Sequence, residues 1–291
     1  MRHLRWLLLG WATCWVMLPS AAAPAGGIAV VTVLEGEATI LRGDSKLAAS
    51  IGLRVRADDV IETADRTFLR IEFAGGPILD LGGATRLLLD RPETRRNNRP
   101  ALYLLAGWLK ISSPNATAAP VAGVSSPRVD LGRLMGVVLL EVQPVASSVF
   151  IESGASDLTV RSSRPAAQLK LAAGDFVDVA HDGEVARAGR PSAAFLAAVP
   201  TPFRDSLPPR LPTLAARAVT ARELGRFGYQ DVEAWLDADR TLGRHLVQIW
   251  APKAAEPQFR AALIAGLPAH PEWFPVLYPD CCNPPPRPAK P

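Results

Sequence analysis

The chain has 291 residues, 48% hydrophobic and 21% charged, enough apolar content to bury a sizeable core and to exclude disorder throughout. Its formal net charge is +4, falling to +2 once Arg2 and Arg5 leave with the leader described next. Such a balance offers no broad attractive field to nucleic acid, although the pI is near 9.2.

Arg2 and Arg5 precede an apolar run from Leu7 to Leu18, and Pro19 to Ala25 adds a helix breaker and small side chains. Residues 1–25 therefore read as a cleavable signal peptide, cut after Ala22 or after Ala25. A run of about 12 residues is short of the roughly 20 that a membrane-spanning helix needs. Trp11-Ala12-Thr13 ahead of Cys14 is a poor lipidation signal. No later run is long enough to span, so the mature part is expected to be periplasmic without an integral membrane segment; secretion and peripheral membrane attachment stay open. Of the three cysteines, Cys14 leaves with the leader, and the adjacent Cys281 and Cys282 cannot staple distant parts of one chain.

From Val30 to Leu89, short β-prone runs alternate with Gly, Asp and Ser. Glu35-Gly36 reads as a hairpin or tight corner. Thr67 to Phe73 is the clearest strand, with Leu69, Ile71 and Phe73 on the face expected to be buried and Phe68, Arg70 and Glu72 on the other. Gly75-Gly76 and Gly82-Gly83 are expected to turn the chain through positive φ. Arg91 to Pro100 reads as an exposed connection. Further strands are expected at Leu102 to Leu105, Trp108 to Ile111, Val137 to Val142, Val149 to Glu152, Leu158 to Arg161, Leu169 to Leu171 and Phe176 to Val179, with a Ser/Ala/Pro-rich loop from Ser112 to Pro127.

From Pro191 the prolines at 200, 202, 208, 209 and 212 crowd one segment, in which neither a helix nor an interior strand is expected. The organisation is thus a β domain over 26–190, a proline-rich linker over 191–212, a helical tail over 213–280 and a disordered proline-rich end over 281–291. Helical spacing marks Asp231 to Leu236, Leu242 to Trp250 and Gln258 to Leu267.

Candidate sites are few. The four histidines lack the spacing of a metal or catalytic set, so no metal, no cofactor and no enzyme activity are expected. His181-Asp182-Gly183 reads as a turn, and His245 and His270 as capping or solvated. Asp58-Asp59 reads as a turn in which Asp59 bonds its own backbone rather than as an acid–base pair. Arg91, Arg95 and Arg96 could grip phosphate groups, with a solvated loop as the competing reading. Trp108 is either a sugar-stacking platform or core. Trp235, Trp250 and Trp273, with Phe227, Tyr229, Phe274 and Tyr278, exceed what a short tail buries by itself; they pack on the β domain or form a partner surface.

One resemblance joins these pieces. Gly52-Leu53, Asp59 to Thr63, Leu69 to Phe73, Ile78 to Leu81 and Thr85-Arg86-Leu87, then Ala106 to Ile111, Val149 to Gly154 and Leu171 to Asp175, resemble the FecR domain in order and spacing from about Val30 to Val179. Ser126 to Gly136 carries only a degraded form of that pattern. The resemblance implies the periplasmic β domain of iron-uptake signalling proteins, without their anti-sigma segment and membrane helix. The expected fold is mainly β, a FecR-like sandwich or roll followed by a small α-helical C-terminal region, with a solenoid-like stack as the alternative. The expected role is non-enzymatic: protein recognition, signalling-related sensing or structural support in the Gram-negative cell envelope. An envelope protein is the expected partner, and carbohydrate or peptidoglycan binding and, behind it, envelope hydrolysis are the alternatives.

Overall fold

The computed structural model describes residues 29–89, 101–113, 123–132, 134–161, 166–217 and 219–282. The leader, Arg91, Arg95, Arg96, most of the Ser/Ala/Pro-rich loop and residues 283–291 lie outside the described residues. Short strands form the first half: β1 (Ala29–Glu35), β2 (Ala38–Arg42), β3 (Ser45–Ala48), β4 (Arg54–Val55), β5 (Val60–Thr63), β6 (Phe68–Phe73), β7 (Ile78–Leu81) and β8 (Arg86–Leu89). The second half holds β9 (Ala101–Ser112), β10 (Gly123–Ser125), β11 (Val129–Leu131), β12 (Met135–Val142), β13 (Ala146–Val160), β14 (Ala167–Ala172), β15 (Phe176–Ala180) and β16 (Val185–Ala188). A last strand, β17 (Arg222–Arg226), comes from the region expected to be only helical.

The strands make two ladders. The front one runs β4–β1–β6–β7–β9–β12–β13–β15–β16. The back one runs β17–β3–β2–β5–β8–β9–β10–β11–β13–β14. All pairs are antiparallel except β9 with β10. Glu35-Gly36 is a corner rather than a hairpin, because β1 pairs β6 in front while β2 pairs β5 behind.

β9 and β13 belong to both ladders, and each replaces two strands expected from the sequence. The start of β9 pairs β8 behind and its end pairs β7 in front; β13 pairs β12 and β15 in front, then β11 and β14 behind. The bends fall near Gly107 (φ 89°) and Gly154 (φ 83°). Such φ values strain any residue with a Cβ, so glycine lets the chain turn a corner while pairing continues. Gly82 and Gly83 act differently. Neither has positive φ, and it is Ala84 that does (φ 50°). A Cβ on Gly82 would lie 2.9 Å from the Trp108 Cβ, and one on Gly83 2.7 Å from the Arg66 nitrogen, so these glycines permit close approach.

Period-two alternation divides the apolar side chains. Ile40, Ile61, Leu87, Leu102 and Leu104 point into one core between the ladders, while their neighbours Leu41, Val60, Leu88 and Tyr103 point out from the back ladder. Parts of the outer faces are covered as well. Phe68, Arg70 and Glu72, expected on the exposed side of β6, are only 3%, 4% and 2% exposed.

Their cover is the segment expected to be a linker. It carries α1 (Ala193–Ala198), a 3₁₀ turn at Thr201–Arg204 and α2 (Leu211–Leu214). The expectation of no helix fails because α1 contains no proline and is capped by Ser192, whose hydroxyl accepts from the Phe195 N–H at 3.1 Å. Pro202 and Pro212 occupy first turns, where a missing N–H costs nothing. Phe195, Val199 and Phe203 pack on Val33, Phe68, Trp108, Leu139 and Phe176.

Buried charges pin this strap through its main chain. Arg70 donates two bonds to Asp80, at 2.6 and 2.9 Å, and a third to the Leu207 carbonyl. Lys110 donates to the Phe203 carbonyl at 2.6 Å. Glu72 accepts from the N–H groups of Arg210 and Leu211 and from the Thr32 hydroxyl.

The C-terminal helices α3 (Tyr229–Leu236), α4 (Arg240–Trp250), α5 (Pro257–Ala265), α6 (Phe274–Leu277) and α7 (Pro279–Cys282) cover the back ladder. Two carboxylates each cap a helix and hold the sandwich. Asp239 accepts from the N–H groups of Thr241 and Leu242 at the start of α4 and from Arg161 at 2.8 Å; Asp231 accepts from the Gly228 N–H before α3 and from Lys46 at 2.8 Å. Burial by itself would raise both carboxyls, but the bonds to Arg161 and Lys46 and to the helix N–H groups outweigh it and hold them below the usual range. A lowered folded value gives stability that is complete above an unfolded carboxyl's range, about pH 4, and lost as pH falls through the folded value. Acid is therefore expected to loosen the helices from the sandwich. Hydrogen exchange of α4 amides across a pH series checks this, with Asp239→Asn expected to weaken docking at neutral pH and to flatten the acid dependence.

An acid-lined groove as candidate functional site

His245 and His270, expected to be capping or solvated, are 4% and 1% exposed, and each faces an aspartate. His245 Nε2 lies 3.1 Å from Asp58, and His270 Nδ1 lies 3.2 Å from Asp237. Sequence reading missed both pairs because their partners are far apart in the chain.

His270 Nε2 also meets the Tyr229 hydroxyl at 3.1 Å, completing a Tyr–His–Asp chain. Burial, with the charges of Asp237 and Glu233, pushes the Tyr229 phenol above its ordinary value. The chain ties α3, through Tyr229, to the segment before Trp273. Among the described residues, no group of three or more His, Cys, Asp or Glu side chains is placed to hold a metal.

Asp59 accepts from the Arg56 N–H at 2.8 Å and from Arg42 at 2.6 and 2.8 Å, while Asp58 turns away at φ 64°, so the two serve a turn. His181-Asp182-Gly183 is the tight turn between β15 and β16, with Gly183 at φ 88° donating to the Ala180 carbonyl. Trp108 is 9% exposed, its ring 5.2 Å from that of Phe195. Trp235, Trp250 and Trp273 are 0–1% exposed and pack with Phe227 and Phe259; the Trp235 indole also donates to Glu62 at 2.9 Å. None of the four tryptophans presents a ring face to a ligand.

The strap leaves part of the front ladder's outer face open, and a groove of about 600 Å³ lies there. Its floor follows strand pairing: Glu141 on β12 stands opposite Ser148 on β13, Ser148 opposite Asp178 on β15, and Asp178 opposite Ala186 on β16. The next row pairs Ala146 with Ala180, beside Glu184. Ser192, Ala194, Phe195 and Ala198, at and within α1, form one wall. Alternation puts all these side chains on one face, and the small ones keep the groove open.

Three carboxylates line the groove, and none forms an ion pair with another described residue. Asp178 accepts from the Ser148 hydroxyl and Glu141 from the Gln143 amide. Glu141 is 7% exposed. Burial raises its carboxyl above the ordinary range and the nearby Asp178 charge adds to the rise, against the Gln143 bond. A cation in the groove would relieve both effects. The signal in the sequence was faint: Glu141 and Asp178 sit on two strands and Glu184 just before a third, and only pairing brings them together.

No protein-family model matches the chain, and no curated protein matches it. The similar solved structures include two crystal structures, at 2.50 and 1.65 Å resolution, of a putative anti-sigma factor from Parabacteroides distasonis ATCC 8503. Each is 12% identical over 47% of this chain, with a TM-score of 0.39. The matched part spans 62% and 63% of those chains, less than two thirds of their length.

Proposed function

We propose that this chain is an exported, non-enzymatic FecR-like recognition module of the cell envelope, acting in the periplasm and engaging a protein partner through the groove on its front ladder. One observation carries the reading: an open stretch of the front ladder's outer face is lined by Glu141, Asp178 and Glu184, with no Lys or Arg among the described residues of that lining. Uncompensated carboxylates around a groove favour a positively charged partner. The leader pattern in residues 1–25 supports export. Burial of Trp108 weighs against sugar stacking.

The test is crosslinked capture from envelope extract with the mature chain and with Glu141→Gln/Asp178→Asn/Glu184→Gln. A defined envelope protein recovered at least about tenfold better by the native groove is the expected result. Equal recovery by both forms would move the binding surface elsewhere, and retention on purified peptidoglycan in place of any protein would favour the glycan reading.

A further inference from the structure

The groove runs out to a sheet edge that is unpaired among the described residues, and the register there says what can add to it. β16 pairs β15 alone among the described strands, with Asp178 opposite Ala186 and Phe176 opposite Ala188. At the turn, the Gly183 N–H bonds the Ala180 carbonyl and the Ala180 N–H bonds the Glu184 carbonyl. Antiparallel pairing then alternates, so Ala186 and Ala188 bond inward to β15, and Val185 and Arg187 turn their N–H and C=O groups outward. These outward groups form a template for another strand.

Side chains beside that edge define two subsites. Around Ala186, the outer face carries Asp178 and Glu184, with Glu141 two strands further in. Around Ala188, two residues on, it carries Pro191, Ala193 and the half-exposed Leu196, with Arg187 and Arg190 at the rim. An extended chain presents alternate residues to one face, so the two subsites match successive outward side chains. The first takes a cation and the second an apolar group.

We propose that a partner's extended segment with the pattern basic–x–apolar adds as a strand to β16, its Lys or Arg over the Glu184–Asp178 end and its apolar residue against Leu196. This rests on the groove being the binding site and adds how the site is read: main-chain bonds at Val185 and Arg187 supply the docking, and the carboxylates choose the residue. A second copy of this chain fits poorly, because pairing β16 with itself would carry one acidic row toward another.

The test uses the mature chain and a fluorescein-labelled heptapeptide in which Lys and Leu alternate with Thr. A second peptide carries N-methyl groups on the backbone nitrogens facing β16, and a third has Glu for Lys. The expected result is saturable binding of the first peptide with slowed hydrogen exchange at the Val185 and Arg187 amides. N-methylation should weaken it about tenfold or more, the loss of two main-chain hydrogen bonds, and the Glu peptide should not bind. Glu184→Gln/Asp178→Asn should abolish the preference for Lys over Glu while the thermal midpoint stays unchanged. If the N-methylated peptide binds as well as the first and the two amides stay unprotected, strand addition is wrong while the groove reading stands. Binding of neither peptide nor spermine at millimolar concentration overturns both.

Discussion

Replacing Gly154 with valine is expected to cost about 4 kcal/mol or more, a large part of the 5–15 kcal/mol that holds an ordinary domain folded. Two effects add at this position. The backbone sits at φ 83°, a region that β-branched residues hardly enter. The added Cβ would also collide with the Met135 carbonyl across the ladder, beside the Gly136–Gly154 pair of β12 and β13. Neither can relax cheaply, because β13 pairs on both sides of the bend. For a chain of this size the thermal midpoint should fall by roughly 10 °C, or the cooperative melt should vanish. Gly189→Ala is the control, since nothing lies within 4 Å of its new methyl group. A Gly154→Val melt close to that control would mean that the ladders part at this bend without cost.

Arg70→Met should be nearly as damaging, at about 3–5 kcal/mol. Arg70 and Asp80 are 4% and 2% exposed, and Arg70 also holds the Leu207 carbonyl of the strap. Removing the guanidinium leaves a buried carboxylate without its cation. Burial already raises the Asp80 carboxyl against the pull of Arg70, so the variant should raise it further. A raised folded value gives stability that is complete below the unfolded carboxyl's range and lost as pH rises through the folded value. The defect of Arg70→Met should therefore be smaller at pH 4 than at pH 8. Arg70→Met/Asp80→Leu should recover most of the loss, because replacing a buried pair with apolar groups costs far less than breaking it. Proteolysis of the 200–212 segment, read beside the thermal melts, separates release of the strap from global unfolding. If Arg70→Met melts like the native chain at both pH values, the strap is not held by these charges.

The sequence read well wherever local periodicity had one meaning. Strand alternation at Thr67 to Phe73 and helical spacing at Asp231 to Leu236 and Leu242 to Trp250 placed elements that the structure contains as Phe68–Phe73, Tyr229–Leu236 and Arg240–Trp250. Reading failed where one residue type serves two ends. Gly107 and Gly154 fall in the gaps left between expected strands, and they are bends inside β9 and β13. The prolines of 191–212 looked like a linker, yet they leave room for α1, and Pro202 and Pro212 sit in the first turns of the helical segments after it.

What the chain determined by itself is the alternation that makes a mainly β fold with a helical C-terminal region, since side-chain period follows from backbone geometry alone. Which faces are buried was decided only by tertiary structure. Phe68, Arg70 and Glu72 read as an exposed row until the strap lies on them, and Trp235, Trp250 and Trp273 find their cover on Leu41, Val60, Leu88 and Tyr103 of the back ladder. The groove belongs to the same category: Glu141, Asp178 and Glu184 are dozens of residues apart or on opposite sides of a turn, and it is strand register that makes them neighbours. Register depends on pairing between distant segments, which no local window of the sequence contains.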